Sequence, residues 1–502
     1  AENTSDVGAG KARLGEMMKR TRARTEEYRT LAVEALLKKH GVARAEDLPK
    51  GEIQRAVNAA AGLDPEKYEE YKLFQKHMQL YQESLDRYEP KAFAVSSGPL
   101  DGAADSGPNL RPPRRADYKP PQIHILPGGN IQSPAEPVEP GLLPALEKYG
   151  KYPAPEVPGG VAGRRSALAK WIAHRDNPLT ARVMVNRIWQ SHFGRGIAAD
   201  ANNFGKMGRK PTHPELLDWL AAQFIERGWS VKAMHRLIML SEAYQRGPAP
   251  RGGADGAEPE LLSYYPPRRL EAEALRDGIL AVAGELSLEA GGPGVFPQIS
   301  EDVARQPQHR MGSLAPAYHP SPLKRERNRR TIYTFQQRSQ GDPMIELFNG
   351  PSPDFSCERR EASTLPTQAL TLFNSQFAHD MALALAARVE GQASAGDARI
   401  ERAFRLVFGR LPDAKEKLLA REHLARQTEF HRRTPPAAKP ERKPLVHKIT
   451  SELTGETFEF VQQEAPAQFE ANLHPSDVGP ETRAFADLAL VLLNSNEFMY
   501  VY

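Results

Sequence analysis

Apolar positions recur at helical spacing along most of the chain, and the clearest pattern lies between Arg164 and Arg246. Val185, Ile188, Trp189, His192 and Phe193 share one helical face there, while Asn186, Arg187 and Gln190 look elsewhere. Asn177-Pro178 predicts an N-cap followed by proline at the first helical position, with Gly194 as the stop. Thr212-His213-Pro214-Glu215 has the spacing of a capping box, and Gly228 closes that helix. Ser230 predicts the cap of a third helix carrying Met234, Leu237, Ile238 and Leu240. All four tryptophans fall inside this stretch, where core packing is their default role. Trp229, beside Gly228, is the one candidate for an exposed, sugar-stacking ring.

The flanking regions read differently. Residues 10–90 form three helical stretches rich in Lys, Arg, Glu and Tyr, the first ending at Gly41 and the third starting at Asp64-Pro65. Their heavy charge and modest apolar stripe fit a solvated helical appendage or a partner-binding arm. Pro, Gly and Ser dominate residues 96–160, where QIHIL alone is strand-like, so this stretch is expected to be a linker lying on the core. Past Arg268 comes a strong amphipathic helix ended by a glycine turn, then a polar, irregular stretch over 299–329. TIYTFQQR alternates as a short strand does, and helices are predicted at 366–374, 375–391, 397–408 and 413–430. ITSELTGETFEFV alternates on both sides of Thr454-Gly455, which predicts a β-hairpin, and the last helix is apolar enough to return to the core. The expected fold is mainly α: an irregular multi-helix core, a few short strands and a small C-terminal β-hairpin. The expected divisions are an arm at 1–95, a linker at 96–160, a core at 161–430, and an insertion, hairpin and terminal helix at 431–502.

A chain of 502 residues has room for two or three domains. Its 67 Lys and Arg face 63 Asp and Glu, a net charge of +4, so no global field draws nucleic acid and any anion site must be local. No run of 18 apolar residues predicts a transmembrane helix, and the opening AENTSDVGAG has no signal-peptide pattern. The single cysteine, Cys357, excludes an internal disulfide framework, a cysteine-based zinc site and covalent haem on this chain. HExxH, His-x-His, acidic calcium loops and phosphate-binding glycine motifs are all missing, and no metal is predicted.

Four groups of residues could carry chemistry. Glu273 and Asp277 lie at i and i+4 on one helix face with Arg269 and Arg276 beside them, as an acid/base or cation-holding pair or as an intrahelical salt-bridge ladder. His213, at the positive end of its helix, would be held neutral as a base or ligand, or serve structure alone, with Asp218 engaged by a neighbouring arginine. Cys357, in the loop Asp354–Arg360 before a helix capped by Thr364, is a nucleophile or a buried, inert thiol. Finally Arg329, Arg330, Arg338, Arg359 and Arg360, interleaved with Tyr333, suit sulfate or uronate groups, haem propionates or an acidic protein surface. The neighbouring run from Lys324 to Arg327 reads as a solvated face, whereas Arg329, Arg330 and Arg338 flank an apolar strand and are expected to be buried and paired.

Several segments together resemble one family: NPLTARVMVNRIWQSHFGRGI, the run from NNFGKMGRKPTHPELLDW to IMLSEAYQ, RRLEAEALRDGIL, RRTIYTFQQR, FNGPSPDFSCERREASTLPTQALTLFNSQF and LVLLNSNEFMYV. Their content and order are similar to the planctomycete PSD-one domain, over roughly residues 120–502. Leu126-Pro127-Gly128-Gly129 stands where relatives usually have an Arg-Gly pair. The resemblance implies an extracytoplasmic domain of unknown function, the C-terminal part of a longer precursor with an N-terminal cytochrome c domain. Haem c is then expected on that missing part or on a partner, not on this chain. The function expected is support or docking of a c-type cytochrome module in a redox or polysaccharide-processing assembly. The alternatives are an enzyme acting on anionic polysaccharide, with Glu273 or Asp277 as acid/base, and a non-catalytic glycan-binding module.

Overall fold

A computed structural model of the chain describes residues 4–49, 51–60, 62–89, 122–139, 141, 156–158, 162–248, 261–300, 307–310, 313–316, 320–336, 341–439, 446–450, 454–461 and 470–501. Most of the expected linker, and Arg338, lie outside the described residues. The described fold is mainly α with a few short strands. Its helices are α1 (Thr4–His40), α2 (Glu52–Ala59), α3 (Pro65–Asp86), α4 (Arg164–Ile172), α5 (Thr180–Phe193), α6 (Pro214–Glu226), α7 (Val231–Met239), α8 (Glu242–Gln245) and α9 (Ala272–Ala283). They continue as α10 (Lys324–Arg327), α11 (Pro343–Leu347), α12 (Pro366–Asn374), α13 (Gln376–Gln392), α14 (Asp397–Phe408), α15 (Ala414–Arg433), α16 (Pro480–Leu493) and α17 (Asn496–Met499). Two compact units result, one of residues 1–91, 269–356 and 360–501, the other of residues 92–268 with 357–359.

The core of the first unit lies where α9, α13 and α16 meet. Leu275, Ile279 and Leu280 of α9, Met381, Leu385 and Val389 of α13, and Leu488, Leu492 and Leu493 of α16 pack into one cluster. Alanines at 378, 382 and 386 keep the surface of α13 low, which lets its neighbours approach closely. Each large aliphatic side chain buried here stabilises the fold by about 1.5–3 kcal/mol before entropy is counted. The return of the last helix to the core is therefore what its apolar composition predicts. The hairpin is also found, Val446–Thr450 pairing antiparallel with Thr457–Val461. Within the stretch read as irregular, Pro307–Arg310 pairs with Ser313–Pro316. TIYTFQQR behaves otherwise: Thr331–Tyr333 is a single 3-10 turn, and only an isolated parallel bridge links Thr334 to Val295. Among the described residues its alternation finds no partner strand, and Asp277 of α9 takes the Thr331 amide instead.

The N-terminal helices belong to this unit and have a small core of their own, with Tyr28, Ala32 and Leu36 of α1 against Tyr71 and Phe74 of α3. Asp64 caps α3 by accepting from the Lys67 amide at 3.0 Å. The arm is not simply solvated. Arg13 pairs with Glu326 at 3.1 Å, and the Arg87 guanidinium lies 4.3 Å from the Phe335 ring centroid and 5.1 Å from that of Phe296.

In the second unit α5, α6 and α7 pack around Val185, Ile188, Leu220, Phe224, Met234 and Ile238. Helix α5 ends at Gly194 and α7 is capped by Ser230, as expected. Two caps differ. Asn177 stands three residues before α5, where its side chain accepts from the amides of Leu179 and Thr180. The Thr212 hydroxyl turns to the Ile197 carbonyl, and His213 rather than Thr212 occupies the N-cap of α6 with no side-chain cap bond. Asn186 does not look outward. It is fully buried and exchanges two hydrogen bonds of 2.9 Å with the backbone of Ala198. That strap passes so close that a Cβ at Gly196 would stand 2.6 Å from both the Ala198 carbonyl oxygen and the Asn186 amide.

Candidate functional site

Helix α9 organises the charged residues of the first unit. Its buried face carries Arg276 along with Leu275 and Ile279, because a long side chain can pass through the apolar layer if its guanidinium finds acceptors. Arg276 finds three: the carbonyls of Arg327 at 2.8 Å and Arg329 at 3.1 Å, and the Thr331 hydroxyl at 3.1 Å. The next residue, Asp277, accepts from the Thr331 amide at 2.8 Å and its hydroxyl at 2.6 Å, with Arg330 Nε 3.7 Å from its other oxygen. The segment 327–331 is thereby fastened to α9 at both its carbonyl and its amide groups.

Arg327, the last residue of α10, and Arg329 just after it repeat this use of backbone. Arg327, 2% exposed, donates to the carbonyls of Ser321, Pro322 and Glu470. Arg329, 4% exposed, donates to the carbonyls of Glu289, Gly291 and Pro293 while its guanidinium lies 3.9 Å from the Tyr333 ring centroid. The Tyr333 hydroxyl in turn accepts from the Gly291 amide at 3.1 Å. Burial of Arg329 is as expected. Arg330 is largely exposed, and Arg327 is not the solvated residue its charge run predicts. A planar fork with several donors satisfies a loop of carbonyls that no single residue of another type could serve.

Glu273 meets Arg360, which donates to both carboxylate oxygens at 2.5 and 2.9 Å and lies 3.2 Å from Glu271. Burial alone would raise the Glu273 carboxyl, but the Arg360 hydrogen bonds outweigh it and hold the group below the ordinary carboxylate range. The intrahelical ladder from Arg269 to Glu273 does not form. Arg269 donates instead to the carbonyls of Ser363 and Phe348 and to Asn349 Oδ1, tying down the loop after α11.

The remaining expected residues have other partners. His213 and Cys357 with Arg359 belong to the second unit. His213 Nδ1 is 3.0 Å from the Thr212 hydroxyl, and Asp218 is engaged by Arg182 at 2.6 Å, as its position predicts. Cys357 is exposed, not a buried thiol, because its Pro- and Ser-rich loop has little apolar surface to bury it. The adjacent Glu358 fixes that loop, its carboxylate accepting from the Asn202 amide at 2.7 Å and its carbonyl from Gln190 at 3.2 Å. Thr364 does not cap α12; its hydroxyl meets that of Tyr500, and Gln368 accepts from the Leu365 amide. The exposed tryptophan is Trp219, half open to solvent, whereas Trp229 packs its ring edge-on to Phe224 at 5.2 Å.

One pair was invisible in the sequence. His192 of α5 and His235 of α7 meet Nε2 to Nδ1 at 2.7 Å, with Tyr244 edge-on to His192. Burial, then His235 and Arg268, pushes the His192 imidazole below its ordinary value. The only sequence signal was that His192 lies on an apolar face; its partner is 43 residues away. Among the described residues no group of three or more His, Cys, Asp and Glu could hold a metal ion, and no helix is long and apolar enough to cross a membrane.

The fold and its braced centre thus define a mainly helical domain whose charged interior groups hold loops to helices. Residues 164–424 match the family model PSD1, protein of unknown function (DUF1553), and the chain belongs to that family. This is the family that the quoted segments resemble. No curated protein and no solved structure matches the chain.

Proposed function

We propose that this chain is an extracytoplasmic, non-catalytic domain that supports or docks a c-type cytochrome module, without carrying haem itself. What supports the non-catalytic part is the use made of α9. Glu273 is held by Arg360 and Asp277 by Thr331, and Arg269, Arg276 and Arg329 are turned onto backbone carbonyls. Groups fixed in this way brace a surface for a partner. The haem-bearing partner and the compartment follow from the family resemblance. The competing reading, an enzyme on sulfated or uronic polysaccharide, requires Glu273 or Asp277 to leave those donors before it can move a proton.

The test is an absorption spectrum and intact mass of the protein purified from its native source. A Soret band that copurifies with a haem-bearing polypeptide, and is lost when the two are separated, is the expected result. A colourless, homogeneous preparation showing no haem-bearing companion would remove the cytochrome reading. Turnover of an anionic polysaccharide that disappears in Glu273→Gln would replace it with the enzyme.

A further inference from the structure

On the second unit, α7 carries an apolar stripe that the unit's own core covers only in part. Ala233, Leu237 and Leu240 recur at helical spacing and, with Arg227, Arg236 and Ser241, line an open depression of about 400 Å³. Leu240, at the C-terminal end of the helix, is 66% exposed. An exposed leucine continuing a half-buried apolar floor, rimmed by cations, marks an interaction surface. The polar lining is cationic. Ser241 is already engaged with the Ile238 carbonyl and Arg227 with the Gln223 side chain, while Arg236 has no ion pair among the described residues.

We infer that this depression docks an acidic segment of a partner protein, with a bulky apolar side chain seated on Leu237 and Leu240 and flanking carboxylates on Arg227 and Arg236. Guanidinium forks suit carboxylates, and an apolar floor beneath two cations selects a chain that alternates the two chemistries. The depression is too open to enclose most of a small molecule, as a ligand pocket does. A membrane surface is also disfavoured, since the depression carries two arginines alone, unlike the dense basic clusters that bind anionic lipid. The inference goes beyond the cytochrome reading, because it holds whether or not the partner carries haem.

The experiment titrates the full chain with a fluorescent fifteen-residue helical peptide bearing leucines at i and i+4 flanked by glutamates. Its lysine-for-glutamate counterpart and vesicles of zwitterionic lipid with 30% anionic lipid serve as comparisons. The glutamate peptide is expected to bind at least about tenfold more tightly than the lysine peptide, and added salt weakens it. Arg227→Glu with Arg236→Glu is expected to reverse the preference, and Leu240→Asp to abolish binding. These side chains lie on the surface, so circular dichroism should show the variants folded. Equal binding of both peptides, no binding of the glutamate peptide, or indifference to the charge reversal would overturn the inference. So would vesicle binding that the same substitutions abolish, which would assign the surface to a membrane.

Discussion

Arg360 closes on Glu273 from 87 positions further along the chain, and both carboxylate oxygens are held by the one guanidinium. The contact joins the loop before α12 to the first turn of α9, so it fixes tertiary structure as well as charge. Glu273→Gln keeps the shape and removes the charge. It is expected to lower stability by about 1–2 kcal/mol, as loss of a charge-assisted hydrogen bond in a half-buried setting does. Because the folded carboxyl is held below its ordinary value, the stabilisation is present above the unfolded value of about 4.3 and lost as pH falls through the folded one. Urea unfolding of both proteins from pH 7 to pH 3 should therefore converge at the acid end. Parallel curves would refute the pairing.

Arg276 is a buried charge whose acceptors lie at Arg327, Arg329 and Thr331, at the end of α10 and just after it. Arg276→Met fills similar volume but leaves two carbonyls and the Thr331 hydroxyl without their donor, at an expected cost of about 3–5 kcal/mol. Arg276→Lys should recover only part of this, since an ammonium cannot reach three acceptors in the fork's plane. Midpoints of chemical unfolding rank the three proteins, and equality of Lys with Arg would contradict the fork geometry.

The His192–His235 pair predicts an acid-sensitive second unit. The folded His192 imidazole is held low by burial, by His235 and by Arg268, with Tyr244 and Tyr265 packed against the same ring and backbone. The unfolded chain therefore binds the proton more readily. Stability is full above the unfolded value of about 6.5 and declines as pH drops below it, until the folded value is passed. His423, also held low by burial, gives the first unit a slope of the same sign, which is common to the wild type and the variant. The diagnostic is thus the difference between the wild type and His192→Gln, which should be constant above about pH 7 and shift against the wild type as pH falls below about 6.5, because the variant lacks the titrating site. A difference that grows above pH 7 would reverse the assignment.

Cys357 is exposed, so its thiol should react fully with a disulfide reagent in the native protein, without denaturant. Cys357→Ser should change stability by less than about 0.5 kcal/mol, as surface substitutions usually do. Protection of the native thiol until unfolding would show that the loop is covered.

Much of this protein was legible from local rules. Gly194 and Ser230 bound their helices because stop and cap chemistry acts within a few residues. The hairpin around Thr454-Gly455 and the apolar terminal helix follow from periodicity in the same way. Local spacing also placed Glu273, Arg276 and Asp277 side by side on α9. It said nothing of their partners. Arg269 leaves the ladder its spacing predicts for the carbonyls of Phe348 and Ser363, and Thr212 leaves its capping box for Ile197. A buried carbonyl without a donor costs more than an exposed intrahelical ion pair returns, so long-range demand outbids the local option. For the same reason Asn186 and Arg327, polar by type, lie inside: each satisfies backbone that the fold brings past it. The sequence by itself determined the family, the helices and most of their ends. Only the tertiary structure decided which charges are braces, which histidines meet and which thiol is open, because those depend on neighbours that chain packing, not spacing, supplies.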